Sequence, residues 1–212
     1  MRVLALADHA EPKLWEHLDR RILEGVDLVI SCGDLPAKYL SFLTCFTHAP
    51  VLYVHGNHDT SYGRTPPEGC VCIDGDVYVH EGVRILGLGG SMRYRPGAPH
   101  QYTEADMRRR LRRLWWPLRR CGGVDILVCH APARGVGDEE GLAHRGFETF
   151  LRVMDRYHPA YMLHGHVHRE YTHEFRRERA YGQTAVVNCY GYCLLDVSLP
   201  AGPKERRKGH GA

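Results

Sequence analysis

The chain has 212 residues, of which 43% are hydrophobic and 25% are charged, so it can build a sizeable core within the usual size of one α/β domain. The formal net charge of +3 is too small to give the whole molecule the strong positive field of a general DNA-binding protein. No stretch approaches the roughly 20 apolar residues of a membrane span, and the start lacks the basic leader of a secretory signal. We expect a soluble, cytoplasmic protein without membrane contact, with one domain over residues 1–200 and a basic, disordered tail over 201–212.

Short apolar runs rich in β-forming residues predict strands that are buried on both faces. In chain order these runs are 3–7, 28–30, 51–54, 126–128 and 161–163. Between the first two runs, the spacing of Leu14, Leu18 and Ile22 predicts a helix with one apolar side. Strands that alternate with helices predict an α/β fold with parallel neighbouring strands, in which ligands bind at the carboxyl ends of the strands.

Further strand-like pieces predict a second sheet in the later part of the chain. The sheet is expected to begin near Val71, Val77 and 83–88, and the runs 171–175, 184–188 and 193–198 are expected to return to it. The eight cysteines lack the paired spacing of a zinc ribbon. We expect them to be reduced thiols, mostly buried.

Each of the five apolar runs leads into a short polar cluster. The clusters are Asp8, Gly33-Asp34, Gly56-Asn57-His58-Asp59, Cys129-His130 and Gly165-His166-Val167-His168. Because they follow strand ends, their carboxylate, amide and imidazole groups are expected to converge on one rigid edge. Such a mixed oxygen and nitrogen set suits Mn, Fe or Zn better than Mg or Ca. We predict two metal ions, with Asp34 as the carboxylate that bridges them.

The ordered set of clusters resembles the calcineurin-like metallophosphoesterases from residue 8 to residue 168. The resemblance implies a four-layer α/β/β/α sandwich in which two mixed sheets lie between helices. It also implies two ligand sets, with Asp34, Asn57, His130 and His166 on one metal and Asp8, Asp34 and His168 on the other. The implied activity is hydrolysis of a phosphomonoester or phosphodiester by a metal-activated hydroxide.

The resemblance assigns His58 to the substrate phosphate, as the proton donor to the leaving alkoxide, and Asp59 to hold His58 in place. The residue types agree with this assignment. An imidazolium beside a phosphoester can act as a general acid and stabilise negative charge, and a neighbouring carboxylate favours its charged form. We therefore predict His58 and Asp59 as catalytic residues.

One motif departs from the family pattern. The family's first motif is Asp, any residue, His, whereas Asp8 is followed by His9 and then Ala10. If the strand geometry continues, His9 points to the opposite face. His9 in a turned loop, Glu11 or water remain open as replacements for the missing histidine. We predict that the site of Asp8 and His168 binds metal more weakly than the other site.

Two alternatives to a small-molecule phosphoesterase remain. Residues 108–120 predict a helix that ends near Pro117 and carries many arginines. Such a basic cluster would suit a nuclease acting on nucleic acid, although we favour a solvated helix whose arginine stems cover apolar surface. The second alternative is a catalytically weak or inactive binding scaffold of the same fold. Arg93 and Arg95 are candidate substrate contacts, and the expected partner is a phosphoester substrate.

Overall fold

The computed structural model describes residues 1–168 and 175–198. Its strands are β1 (Arg2–Ala7), β2 (Leu28–Ser31), β3 (Val51–Tyr53), β4 (Val71–Cys72), β5 (Asp76–His80), β6 (Val83–Leu88), β7 (Ser91–Met92), β8 (Gln101–Tyr102), β9 (Ile126–Cys129), β10 (Tyr161–His164), β11 (Glu178–Tyr181), β12 (Thr184–Asn188) and β13 (Gly191–Asp196). Its α-helices are α1 (Ala37–Thr44), α2 (Glu104–Arg113), α3 (Trp115–Cys121) and α4 (Glu148–Tyr157).

The strands form two mixed sheets. The first has the order β13-β1-β2-β3-β4, in which only β13 is antiparallel to its neighbour. The second has the order β11-β12-β10-β9-β6-β5, with antiparallel strands at its two edges. A short parallel pair, β7-β8, lies apart from both sheets. The five apolar runs predicted from the sequence correspond to β1, β2, β3, β9 and β10, so these strand predictions are confirmed.

The core has three apolar layers because side chains alternate between the two faces of a strand. Residues such as Ala5 and Ile30 of the first sheet pack against Ile126 and Val128 of the second. The other face of the first sheet packs against α1 and its surroundings. The other face of the second sheet packs against α2, α3 and α4. Two sheets between helices give the four-layer α/β/β/α sandwich that the sequence predicts.

The helix predicted across Leu14, Leu18 and Ile22 is wrong. Two short 3-10 turns, Pro12–Leu14 and Arg20–Ile22, occupy this region instead. Asp19 accepts a hydrogen bond from the backbone nitrogen of Arg21 at 3.2 Å and from its guanidinium at 2.9 Å. Such local side-chain bonds compete with a continuous helix.

The arginine-rich segment also differs from its prediction, because it forms two helices rather than one. Pro117 is the third residue of α3, within the first turn, where a missing N–H costs no intrahelical hydrogen bond. The proline therefore helps to begin a helix here and does not end one. Gly122 ends α3 in the left-handed conformation, with φ of 78°.

The later strands divide between the sheets. β12 lies in the second sheet as predicted, but β13 pairs with β1, so the assignment of 193–198 to the second sheet is wrong. The short strand β4 likewise belongs to the first sheet. Residues 171–174 of one predicted strand, and the predicted basic tail at 201–212, lie outside the described residues. All eight cysteines are free thiols as expected, but only Cys32, Cys129 and Cys189 are buried, so the expectation that most are buried is wrong. In the described ranges no helix has the length and apolar character needed to cross a bilayer.

Candidate metal centre

Three of the predicted ligands adopt a backbone conformation that is uncommon for residues other than glycine. Asp8, Asp34 and His166 have φ values of 63°, 56° and 70°, directly after or close to the ends of β1, β2 and β10. They are three of the six such residues in the described part of the chain. Backbone strain of this kind concentrates at functional sites because the surrounding structure must impose it.

The most closely grouped ligands are Asp34, His130 and His166. Each offers one ligand atom, and these atoms all lie within 4.8 Å of one another. His130 Nε2 lies 3.2 Å from Asp34 Oδ2 and 3.1 Å from Asn57 Oδ1. Ligand atoms bound at about 2.1 Å to one cation are roughly 3 to 3.5 Å apart, so this spacing suits a shared metal. Four predicted ligands of one site are therefore brought together.

Hydrogen bonds fix which nitrogen of each histidine faces the centre. His130 Nδ1 donates to the carbonyl oxygen of Cys32 at 2.9 Å, which leaves the lone pair of Nε2 for a metal. His166 Nε2 donates to the carbonyl oxygen of Ala143 at 2.6 Å, which leaves Nδ1. Backbone partners of this kind set the tautomer and ring orientation of metal-binding histidines. The two imidazoles are therefore prepared to act as ligands.

The charges of the group agree with a cation site. Burial opposes charge on Asp34 and His130, but their ion pair lowers the pKa of Asp34 to about 2 and raises the pKa of His130 to about 9. Burial, with the nearby His130, lowers the pKa of His166 to about 3. The group thus holds a carboxylate and a neutral imidazole, and a bound metal would replace the proton of His130.

The second predicted site is built from Asp8 and His168, whose Oδ1 and Nε2 atoms are 3.5 Å apart. The backbone nitrogen of His166 donates to both carboxylate oxygens of Asp8, at 3.1 and 2.9 Å. Among the described residues, these two do not form a three-membered ligand group with Asp34 at the spacing of the first site. The bridging role of Asp34 and the weaker second site stay predictions.

His9 and Glu11 are the two residues that could replace the missing histidine. Neither one joins Asp8 and His168 in a ligand group among the described residues. His9 is exposed, and its ring stacks 6.0 Å from the ring of Tyr190. The carboxylate of Glu11 lies near Gly191, where a Cβ would be 3.6 Å from Glu11 Oε2. Neither residue belongs to a three-membered ligand group in the described ranges.

His58 is exposed beside the centre, while its backbone nitrogen donates to Asp34 Oδ1 at 2.7 Å. Asp59 is predicted to contact His58. Its Oδ2 accepts hydrogen bonds from the backbone nitrogens of Gly56 and Asp34, at 2.7 and 2.9 Å. Burial raises the pKa of Asp59 to about 6. The carboxylate of Asp59 therefore joins the second and third clusters, and its role in holding the His58 ring stays a prediction.

A second group, half-buried and absent from the sequence predictions, supports the loop of the third cluster. Asp74 accepts from His55 Nδ1 at 2.8 Å and from the backbone nitrogen of Gly89 at 2.7 Å, and it also pairs with Arg110. The His55 ring stacks on His100, with centroids 4.3 Å apart and planes at 5°. Parallel rings do not aim their lone pairs at one cation, and Arg110 already neutralises Asp74. We interpret this group as a support for the loop.

Two further neighbours of the centre carry no signal in the sequence. The ring of His144 lies 5.2 Å from that of His166, and the hydroxyl of Tyr94 contacts Asn57 Nδ2 at 3.3 Å. Both residues belong to long connections whose path depends on tertiary contacts. Arg93, a predicted substrate contact, instead pairs with Asp106 at 3.0 Å. Arg95 is exposed, with its guanidinium 5.6 Å from the centre of the Tyr94 ring.

The two-sheet sandwich and the group of Asp34, His130 and His166 are the features expected of the calcineurin-like phosphoesterase fold with a candidate metal centre. A family model described as calcineurin-like phosphoesterase matches residues 1–170, and the chain belongs to this family.

One curated protein is similar to this chain in sequence, and two solved structures are similar to it in fold. The UPF0046 protein K07C11.7 of Caenorhabditis elegans is 25% identical over 182 residues, which cover 74% of this chain and 61% of that protein. This chain therefore spans about three fifths of the relative's length. TT1561 of Thermus thermophilus superposes with a TM-score of 0.62 at 16% identity, covering 92% of this chain and 93% of that one. Another solved structure superposes with a TM-score of 0.68 at 14% identity, covering 92% of this chain and 94% of that one.

Proposed function

We propose that this protein hydrolyses a phosphomonoester or phosphodiester with the help of two metal ions, of which Mn, Fe and Zn fit the ligands best. The observation that carries the proposal is the buried group of Asp34, Asn57, His130 and His166, whose ligand atoms face one point beside the exposed His58. When bound, the metals supply positive charge for the phosphate oxygens and lower the pKa of water. The bridging carboxylate of Asp34, and the second site of Asp8 and His168, belong to the same proposal.

The protein's own residues orient the metal ligands and protonate the leaving group. The carbonyl oxygens of Cys32 and Ala143 accept from His130 Nδ1 and His166 Nε2, so the other nitrogen of each ring is the one that would bind the metal. The backbone bond from His58 to Asp34 fixes the position of His58 relative to the metal ligands. The exposed imidazole of His58 donates its proton to the departing alkoxide oxygen. Asp59 assists by holding the loop that carries His58.

The proposal is tested by hydrolysis of an aryl phosphate and of its diester by protein reconstituted with Mn. We expect turnover of at least one ester, its loss in His130→Ala, and a fall of about 10²- to 10⁴-fold in kcat for His58→Ala. His17→Ala removes an exposed histidine from the Pro12 turn and is the matched control. Metal-loaded protein that leaves both esters and a wider substrate panel untouched would contradict the proposal.

A binding scaffold is the second candidate, and the position of His9 favours it. The missing histidine is not replaced by a protein ligand in the described ranges, so the site of Asp8 and His168 has fewer ligands than the family pattern. An exposed His58 beside a complete first ligand set favours turnover instead. If partner binding persists in His58→Ala while no ester is cleaved by the unchanged protein, the scaffold is the better assignment.

The nuclease alternative depends on the arginines of α2. Arg109 pairs with Asp106 at 2.9 Å, and Arg110 pairs with the buried Asp74. Arg108 and Arg112 are exposed. A nuclease that uses this helix loses nucleic-acid cleavage but keeps aryl ester hydrolysis when Arg108 and Arg112 are both changed to Glu.

A further inference from the structure

Tyr94 lies on the connection between β7 and β8, which passes beside the metal centre. Two backbone nitrogens, those of Tyr94 and Arg95, donate to the side-chain oxygen of Gln101 at 3.3 and 3.0 Å. Gln101 is only 4% exposed, and the backbone nitrogen of Arg93 donates to the carbonyl oxygen of Tyr102 at 3.0 Å. These bonds fix the path of the backbone next to Tyr94, so its side chain starts from a defined position.

The hydroxyl of Tyr94 reaches a predicted metal ligand. Asn57 Nδ2 donates to this hydroxyl at 3.3 Å, while Asn57 Oδ1 faces His130 Nε2 at 3.1 Å. The amide is therefore oriented with its oxygen toward the centre and its NH₂ group toward Tyr94. Asn57 is 5% exposed and Tyr94 is half-buried, so this hydrogen bond is partly buried.

The hydroxyl of Tyr94 still has a proton to donate. A tyrosine hydroxyl accepts through its oxygen and donates one proton. The bond from Asn57 uses the oxygen, and within residues 1–168 and 175–198 no acceptor for the Tyr94 proton is recorded. An O–H donor thus stands one hydrogen bond away from a predicted metal ligand.

We propose that Tyr94 is a further catalytic residue, whose hydroxyl donates a hydrogen bond to a non-bridging phosphoryl oxygen of the substrate. The inference rests on the proposed phosphoesterase function. The proton stays on Tyr94 throughout, so no bond to the tyrosine is made or broken. By accepting from Asn57, the same hydroxyl also keeps the amide oxygen turned toward the metal. Its neighbours fit this role less well, because Arg93 is held by Asp106 and Arg95 lies over the Tyr94 ring.

The test compares Tyr94→Phe with the unchanged, Mn-loaded protein. The variant keeps the ring and removes the hydroxyl. We expect kcat to fall by about 10²-fold with a much smaller change in KM, as for the loss of one donor to a developing oxyanion. We expect the affinity for inorganic phosphate, measured by calorimetry, to fall by about tenfold. Tyr181→Phe is the matched control, since it removes a hydroxyl that donates to Asp155 at 3.0 Å on the edge strand β11.

The readouts separate this inference from the proposed function. Unchanged protein that binds Mn and phosphate but cleaves no ester contradicts the function, while weaker phosphate binding in Tyr94→Phe alone still supports the contact with Tyr94. If the unchanged protein is active, and Tyr94→Phe matches Tyr181→Phe within twofold in both kcat and phosphate affinity, the inference is overturned. A drop in Mn affinity with unchanged phosphate affinity of the fully loaded protein also overturns it, since Tyr94 then acts only on Asn57.

Discussion

The close approach of the first and fifth clusters can be tested by adding one methyl group at Gly165. A Cβ on this residue would stand 2.5 Å from the Cβ of Ala7 and 3.3 Å from Asp8 Cγ, and it would overlap Asp8 Oδ2. Two carbon atoms in contact need about 3.5 Å, so Gly165→Ala must push β1 and the fifth cluster apart by about 1 Å. The Asp8 carboxylate would move with its strand.

Gly165→Ala should lower both the thermal stability of the protein and its affinity for metal. Inserting a methyl group into a packed region costs about 1–3 kcal/mol, which lowers Tm by about 2–12 °C for a chain of this size. Metal–ligand distances vary by only about 0.2 Å around their preferred values, so a displaced Asp8 should bind metal much more weakly. Thermal unfolding and a calorimetric Mn titration measure the two effects.

Gly63→Ala is the matched control, because a Cβ there meets nothing within 4 Å. We expect it to leave Tm and the Mn titration unchanged. If Gly165→Ala behaves like Gly63→Ala in both measurements, the packing of Asp8 against the fifth cluster is not as described. If only Tm falls, the Asp8 carboxylate contributes nothing to metal binding and the second site is refuted.

Two further predictions concern buried charge. Burial lowers the pKa of His164 to about 4 and of His166 to about 3, so both bind protons more weakly in the folded chain than at the usual value of 6.5. These two histidines therefore contribute their full stability above pH 6.5, and each should cost metal-free protein up to about 1.4 kcal/mol per pH unit on acidification below that value. The raised pKa values of His130 and Asp59 oppose this loss, so the net fall in the free energy of unfolding between pH 7 and pH 5 is smaller than the sum for the two histidines. Urea unfolding in a chelator over this range checks the prediction, and a stability that rises as the pH falls would refute it. Asp74→Asn leaves the positive charge of Arg110 buried without its carboxylate and should cost about 3–5 kcal/mol. The same urea titration should show almost no change for Asp19→Asn, whose partner Arg21 is 83% exposed, and equal effects of the two substitutions would show that the buried pair is not needed.

The strands and the metal ligands are predictable because their signals are local. Each of the runs that became β1, β2, β3, β9 and β10 is short, apolar and followed by a polar cluster, and parallel strands bring such clusters to one edge. The convergence of Asp34 and Asn57 follows from the adjacency of β2 and β3, whereas His130 follows a strand of the second sheet and is placed in the same ligand set by the family resemblance. The missing histidine after Asp8 is likewise visible in the sequence, and the structure leaves His9 outside the ligand group.

The errors arise where distant contacts decide the outcome. Leu14, Leu18 and Ile22 have helical spacing, yet local hydrogen bonds of Asp19 and the proline at residue 12 give two 3-10 turns. β13 has no sequence feature that selects β1 over the second sheet. The sequence does not reveal Tyr94 and Asp74, because their contacts are with Asn57 and Arg110, which lie 37 and 36 residues away respectively.

The metal ligands come from both halves of the core, and this has a consequence for how the protein responds to metal supply. Asp34 and Asn57 follow strands of the first sheet, whereas His130 and His166 follow strands of the second. A cation held by all four acts as a cross-link between the sheets, and its binding free energy adds to the free energy of unfolding. A chelator should therefore lower the free energy of unfolding of metal-loaded protein.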